Sequence, residues 1–209
     1  MVAPREKLAE SLSVLADLQG DGQRIFRTDE IRRDHRERLA RNGFLEPIIR
    51  GWWMLSNPAA APQDSTLWYG SFWAFCAKYC SHRFEEHWHL SPEISLLLHA
   101  EDSAVPPQVV VYATGGANNR VALPFATSLF DLKVERLPAP DHLCIREGLR
   151  LHTAESGLIH ASKPFFHRHP IEAQTVLAKV PQVGGIVHWL LEGGHSTKAG
   201  RLAGAFRHV

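Results

Sequence analysis

The sequence predicts an α+β fold: a small N-terminal unit of helices and short strands over residues 1–57, then a larger mixed α/β unit over residues 64–209. Three observations carry this. Apolar residues recur at three-and-four spacing in the opening stretch, turn signals cut residues 20–63 into short pieces, and helical and strand-like runs alternate from residue 65 onward. Hydrophobic residues make up 44% of the 209, enough for a buried core, and no segment has the low hydrophobicity and high net charge of disorder.

Residues 5–18 place Leu8, Leu12, Val14, Leu15 and Leu18 close to one helical face, and Gly20-Asp21-Gly22 stops this first helix. Residues 24–26 read as a short extended piece running to Thr28, whose hydroxyl is suited to cap a short second helix. The arginine-rich run RRDHRERLARN at residues 32–42 predicts a third helix, closed by Asn42-Gly43 in the left-handed conformation. Residues 44–50 and 52–55 read as two strands around Gly51, and Pro58 and Pro62 bound a linker over residues 57–63. Because neighbouring strand residues point to opposite faces, one of Trp52 and Trp53 is expected in the core and the other partly exposed. Helix, short strand, helix, arginine helix and two-stranded wing is the winged helix-turn-helix order, whose last helix suits a DNA major groove.

In the second unit, residues 65–81 hold Trp68, Tyr69, Phe72, Trp73, Phe75 and Tyr79 and read as a buried helix. Ser91-Pro92-Glu93 is a helix-start signature leading into residues 94–99. Residues 106–112 predict a strand, residues 115–119 a strand-to-strand turn in preference to an anion-binding loop, and residues 121–134 one or two further strands. A strand and a helical turn are expected over residues 149–161. Helices are expected over residues 171–180 and 183–206, with a break at Gly193-Gly194.

The net charge of +1 argues against a nucleic-acid binder only if it is evenly spread. Residues 24–50 hold eight arginines against five acids, a local balance of +3, which leaves −2 for the other 182 residues. Arginine forks onto phosphates and guanine edges. Arg32, Arg33, Arg36 and Arg41, with His35, are therefore expected to face DNA, and Arg50 to clamp the backbone beside the wing. The competing reading is a solvated helix in which Asp34 and Glu37 pair with Arg38 and Arg41.

No apolar run approaches the roughly 18 residues of a membrane span, and the first ten residues lack the pattern of an export signal. With an odd number of cysteines, Cys76, Cys80 and Cys144, the reading is of reduced thiols in the cytoplasm. Cys76, Cys80 and His82 with His87 or His89 offer metal-ligating groups, but buried thiols and surface histidines explain them better. The pairs His167 with His169 and His188 with His195 are weaker still, so no metal and no cofactor are expected. Ser156 lacks the second glycine of a nucleophile elbow, Cys144 has no recognisable partner, and Glu93 and Glu155 read as helix-start acids, so no catalytic residue is assigned.

The words RDHRERLARNGFLEPIIRGWWM (33–54), WHLSPEISLLLH (88–99), LPFATSLFDL (123–132) and LLEGGHSTKAGRLAGAF (190–206), in that order, span nearly the whole chain. They resemble the N-terminal region of bacterial Fic-type cell filamentation proteins, itself similar to AbiEi-type antitoxins that join a DNA-binding winged helix to a mixed α/β domain. Fic adenylyltransferases carry a His-Pro-Phe loop followed by an acid, glycines, asparagine and arginine. Here His169-Pro170 is followed by Ile-Glu-Ala-Gln, so the resemblance implies no nucleotidyl transfer by this chain. It implies a DNA-binding, antitoxin-like autorepressor whose second unit contacts a protein partner, a toxin or a Fic domain, and self-associates. Two alternatives stay open: a non-catalytic regulatory module of a Fic adenylyltransferase system, and a metal-dependent enzyme using the histidine and cysteine cluster.

Overall fold

The computed structural model describes residues 4–20, 22–61, 64–180, 183–192, 200, 202 and 204. It is a mixed α and β chain that divides into two compact units, Met1–Tyr79 with Ala122–Thr127, and Cys80–Val121 with Ser128–Val209. The division falls inside a long helix, whereas the sequence suggests the linker at residues 57–63.

The first unit opens with helix α1 (Pro4–Leu18) and strand β1 (Ile25–Arg27), continues through α2 (Arg33–Arg41), and folds back as the hairpin β2 (Leu45–Ile49) and β3 (Trp52–Leu55). The strands form an antiparallel sheet of order β1-β3-β2, with Phe26 opposite Trp53 and Leu45 opposite Leu55. The register slips between Pro47 and Ile49. Proline cannot donate to a ladder, so it is tolerated here because β2 is an edge strand. Gly43 adopts φ +76, the left-handed conformation expected at the end of the arginine helix, and lets the chain turn into β2. Leu15, Phe26, Ile31, Leu39 and Leu45 are buried together between the two helices and the sheet.

One expected element is missing. Where a second helix is predicted, residues 28–30 form a turn. Arg27 N–H donates to the Glu30 carboxylate (2.8 Å), and the Thr28 hydroxyl accepts from Trp53 Nε1 (3.1 Å) instead of capping a helix. Too few residues separate β1 from α2 for a further helix to close its first hydrogen-bonded turns. Trp52 is buried and Trp53 partly exposed, as strand alternation requires.

Helix α3 (Thr66–Phe84) is the aromatic helix, and its residues up to Tyr79 belong to the first unit. Phe75 and Tyr79 meet the Trp52 ring edge-on at 5.7 and 5.9 Å, and Trp68 Nε1 donates to Thr127 Oγ1 (3.2 Å).

The second unit contains β4 (Trp88–Leu90), α4 (Pro92–His99), β5 (Val109–Ala113), β6 (Asn119–Ala122) and β7 (Ser128–Lys133). Ser91 caps α4 by accepting from Ile94 N–H, as its sequence signature predicts. The four strands are ordered β4-β5-β7-β6, with β4 antiparallel and β7 parallel to β5. This corrects the expectation for residues 115–119. They join β5 to β6, which are not neighbours, so the segment is not a hairpin turn. The Asp131 carboxylate instead accepts the amides of Ala117 and Asn119 (both 2.9 Å), and the Asn118 side chain accepts Lys133 N–H. Gly116 lies so close to β7 that a Cβ would sit 2.9 Å from Lys133 N. The backbone amides of this loop do hold an anion, and it is the protein's own carboxylate.

The hairpin β8 (Leu143–Arg146) and β9 (Leu149–His152) follows, turning at Glu147-Gly148. Next come α5 (Ala154–His160), α6 (Lys163–Arg168), α7 (Pro170–Lys179) and α8 (Val183–Glu192). Leu96, Leu158, Phe165, Val176 and Ile186 from five helices make one apolar core. The expected break at Gly193-Gly194 lies outside the described residues. No helix among the described residues is long and apolar enough to cross a membrane.

Candidate functional site

The arginine helix α2 has two faces, and they treat their cations differently. Its inner face carries His35 and Leu39, four residues apart and both buried. Ser11 of α1 donates its single hydroxyl proton to Lys7 O (2.9 Å), so its lone pairs receive Arg38 Nη1 (2.6 Å) and His35 Nδ1 (2.9 Å), which makes His35 Nδ1 a donor. His35 is 4% exposed and does not face a DNA ligand. This corrects its assignment from sequence: it shares the helical face of Leu39, and the polar partner that lets it be buried comes from α1.

Arg36 is also redirected. Its Nη1 donates to Thr28 O (2.6 Å) and Ile31 O (2.9 Å), and its guanidinium lies over the Trp53 ring at 5.8 Å. It holds together the turn that replaces the expected second helix.

The outer face is free of such ties to the core. Arg32 and Arg33 have side chains 81% and 83% exposed, and Arg41 and Arg50 are exposed as well. Arg33 pairs with Glu37 one turn on (2.6 Å), which holds the Glu37 carboxyl below its usual range. Arg32 lies 3.6 Å from Asp34, and Arg41 Nε reaches Glu37 O (3.2 Å). The carboxylate pairings expected of Asp34 and Glu37 thus form with Arg32 and Arg33. Such exposed pairs contribute little to stability and open readily. Arg50 occupies the turn between β2 and β3.

The residues weighed as metal ligands are not brought together. Cys76 and Cys80 are buried in α3, and burial pushes the Cys76 thiol up, whereas His82 and His87 are exposed. Among the described residues no group of three or more His, Cys, Asp and Glu side chains is placed to hold a metal ion. His169 lies 3.8 Å from Glu172. His195 and the His188 side chain lie outside the described residues.

The second unit holds a cluster that the sequence does not reveal, a chain of histidines linked through Ser156. His89 and His152 meet edge-on at 4.8 Å, His152 and His160 at 5.7 Å, and His160 and His142 at 6.1 Å, with His142 stacked on Trp189 at 4.2 Å. Ser156 Oγ shares a 2.8 Å hydrogen bond with His152 Nδ1. The Nδ1–H groups of His160 and His89 donate to Ser156 O (2.9 Å) and Leu90 O (2.8 Å). His152 Nε2 is buried without a partner among the described residues. Burial, and then the neighbouring imidazoles, push His152 down to about 3, and burial lowers His89 too. Ser156 is fully buried, so its hydroxyl meets no surface from which a substrate could approach. Glu93 accepts Ser162 N–H (2.9 Å), in keeping with a structural acid. The sequence signal available was the spacing of 152, 156 and 160, but only the turn from β9 into α5, capped by Thr153, makes these side chains meet.

No family model matches the chain, and no curated protein matches it either.

Proposed function

We propose that this chain is a DNA-binding regulator of the antitoxin type, acting in the cytoplasm. The first unit would hold duplex DNA through Arg32, Arg33, Arg41 and Arg50, and the second would contact a protein partner, a toxin or Fic domain, and a second copy of itself. The observation carrying this reading is the outward face of α2. Arg32, Arg33 and Arg41 are exposed there, while Leu39, His35, Arg36 and Arg38 anchor the inner face. Cations held on a rigid helix beside a β-hairpin are what phosphate contact requires. With one helix fewer than a winged helix-turn-helix, the proposed binding unit is a shortened form in which the turn at residues 28–30 replaces the second helix. The resemblance of the ordered sequence words at residues 33–54, 88–99, 123–132 and 190–206 to AbiEi-type antitoxins and Fic-type N-terminal regions supports the same reading.

The test is fluorescence anisotropy with duplex DNA from upstream of the protein's own reading frame, titrated across salt. Four arginine–phosphate contacts predict that log K falls with log salt at a slope of roughly −3 to −4. Replacing Arg32, Arg33 and Arg41 together by alanine should remove most of that slope. Absence of binding at low salt, or binding indifferent to the triple variant, overturns the proposal in favour of a unit that contacts only protein.

A further inference from the structure

The loop from β6 to β7 belongs to the first unit and carries backbone strain that packing does not explain. Phe125 and Ala126 both take positive φ, 53° and 57°, at the centre of a turn over residues 124–127. Residues with a Cβ adopt that conformation at a steric cost, and glycine or asparagine ordinarily fills it. Thr127 fixes the turn: its N–H and its hydroxyl both donate to Pro124 O (3.2 and 2.7 Å), and its carbonyl accepts Leu123 N–H (3.0 Å). Both central side chains stand at the surface, so burial does not offset the cost. Phe125 is 37% exposed and lies beside Tyr69 of α3, 42% exposed, their ring centroids 6.3 Å apart and their planes tilted by 39°. Among the described residues of the first unit, these two are the exposed large hydrophobic side chains. Gly70, next on α3, is exposed, and among the described residues a Cβ there would meet Arg24 Nη1 alone, at 3.8 Å. The exposed Arg24 guanidinium thus lies next to the rings, and among the described residues it has no ion pair or hydrogen-bond partner.

We propose that this patch stacks an unpaired nucleobase, with the Arg24 guanidinium on an adjoining phosphate, which gives the first unit a contact for single-stranded nucleic acid. Three features select this ligand. Aromatic rings stack on any base whatever the sequence, and the fixed turn presents Phe125 already ordered. The unmatched cation beside the rings supplies charge for the strand's phosphates, and Gly70 leaves bare helix where that strand can approach closely. The size of the patch separates a base from a protein partner. A stable protein interface covers about 800 Å² on each side, which two rings and one arginine do not approach, whereas a base needs only a ring face. The contact does not rest on the duplex reading of α2, whose exposed arginines address phosphates alone.

The experiment is fluorescence anisotropy of the full chain at low salt with a labelled oligothymidylate of about 12 nucleotides, an abasic strand carrying the same phosphates, and a duplex of equal length. The abasic strand should bind at least about fivefold more weakly than oligothymidylate. Phe125→Asn removes the ring but suits the positive φ, so it should keep or raise the thermal midpoint while weakening oligothymidylate at least about fivefold and leaving the duplex unchanged. Arg24→Gln should lower the salt slope for the single strand by about 0.7. Joint replacement of Arg32, Arg33 and Arg41 by alanine, which removes the duplex contact proposed for α2, should leave the Phe125 dependence of the single strand in place, so the two proposals fail separately. If Phe125→Asn does not fold, the comparison of oligothymidylate with the abasic strand in the natural protein decides. No binding of oligothymidylate, or equal binding of the abasic strand, overturns the proposal and returns the patch to protein contact. Full affinity in a folded Phe125→Asn, an equal loss for the duplex, an unchanged slope in Arg24→Gln, or loss of the Phe125 dependence in the α2 variant overturns it as well.

Discussion

Helix α2 of the first unit and the histidine chain of the second are both built from basic residues, and they handle charge in opposite ways. On α2 the cations stay charged. Those facing outward are left to water and to weak partners, and those facing inward, Arg36 and Arg38, give their donors to carbonyls and a hydroxyl. In the second unit His152 and His89 are buried with other imidazoles and stay neutral, because burial disfavours the charged form. Asp131 shows the third solution, a fully buried carboxylate held by Arg83 and two loop amides. A basic residue's position therefore decides whether it carries charge to the surface, braces a turn or acts as a neutral packing group.

The largest effect that would break this comparison is expected at Asp131. Asp131→Ala removes the 2.7 Å pair with Arg83 and takes the acceptor from two loop amides, and should cost about 3–5 kcal/mol in urea unfolding. A cost below about 1 kcal/mol would mean that the buried pair is not what holds the β5–β6 loop. Acid is expected to act next, through His152. Its folded pKa of about 3 lies below the ordinary 6.5, so the unfolded chain binds the extra proton between those values. Stability is then full above pH 6.5 and falls by about 1.4 kcal/mol per pH unit as the pH drops towards 3. Urea midpoints measured from pH 7 to pH 4 in the natural chain and in His152→Gln would show this, the variant having the shallower slope. Parallel slopes would assign the acid sensitivity to other groups.

A smaller contrast separates two arginines of the same helix. Arg36→Met removes two bonds to carbonyls and should lower stability by about 2 kcal/mol. Arg33→Ala should leave the urea midpoint essentially in place, since only an exposed pair is lost. The DNA titration should rank them differently, with Arg33→Ala reducing the salt slope by about one unit while leaving the thermal midpoint in place. If Arg33→Ala were the more destabilising of the two, the division of α2 into an inner and an outer face would fail.

Several elements were legible because their cause is local. The Ser91 cap, the end of α2 at Asn42-Gly43, the hairpin turning at Arg50-Gly51 and the opposite burial of Trp52 and Trp53 each follow from residues within a few positions of one another. The misread features depend on distant partners. Residues 28–30 form a turn because Arg36 and Trp53 supply its bonds. His35 goes inside because Ser11 waits on α1, and residues 115–119 fold around Asp131, which lies on a strand twelve or more positions away. Strand β8, which pairs with the expected strand β9, and the short helix α6 were not anticipated, since neither has a long enough run of one period to stand out.

By itself the sequence determined the mixed α and β character, the caps and turns, and the concentration of arginine in residues 24–50, because period, backbone preference and charge are properties of neighbouring residues. Tertiary structure alone decided which of those arginines face water, that β5 pairs in parallel with β7, and that histidines 89, 142, 152 and 160 meet. The reason is physical. A side chain's exposure, partners and protonation are set by whatever packs against it, and in this chain those partners come from elements far apart in sequence.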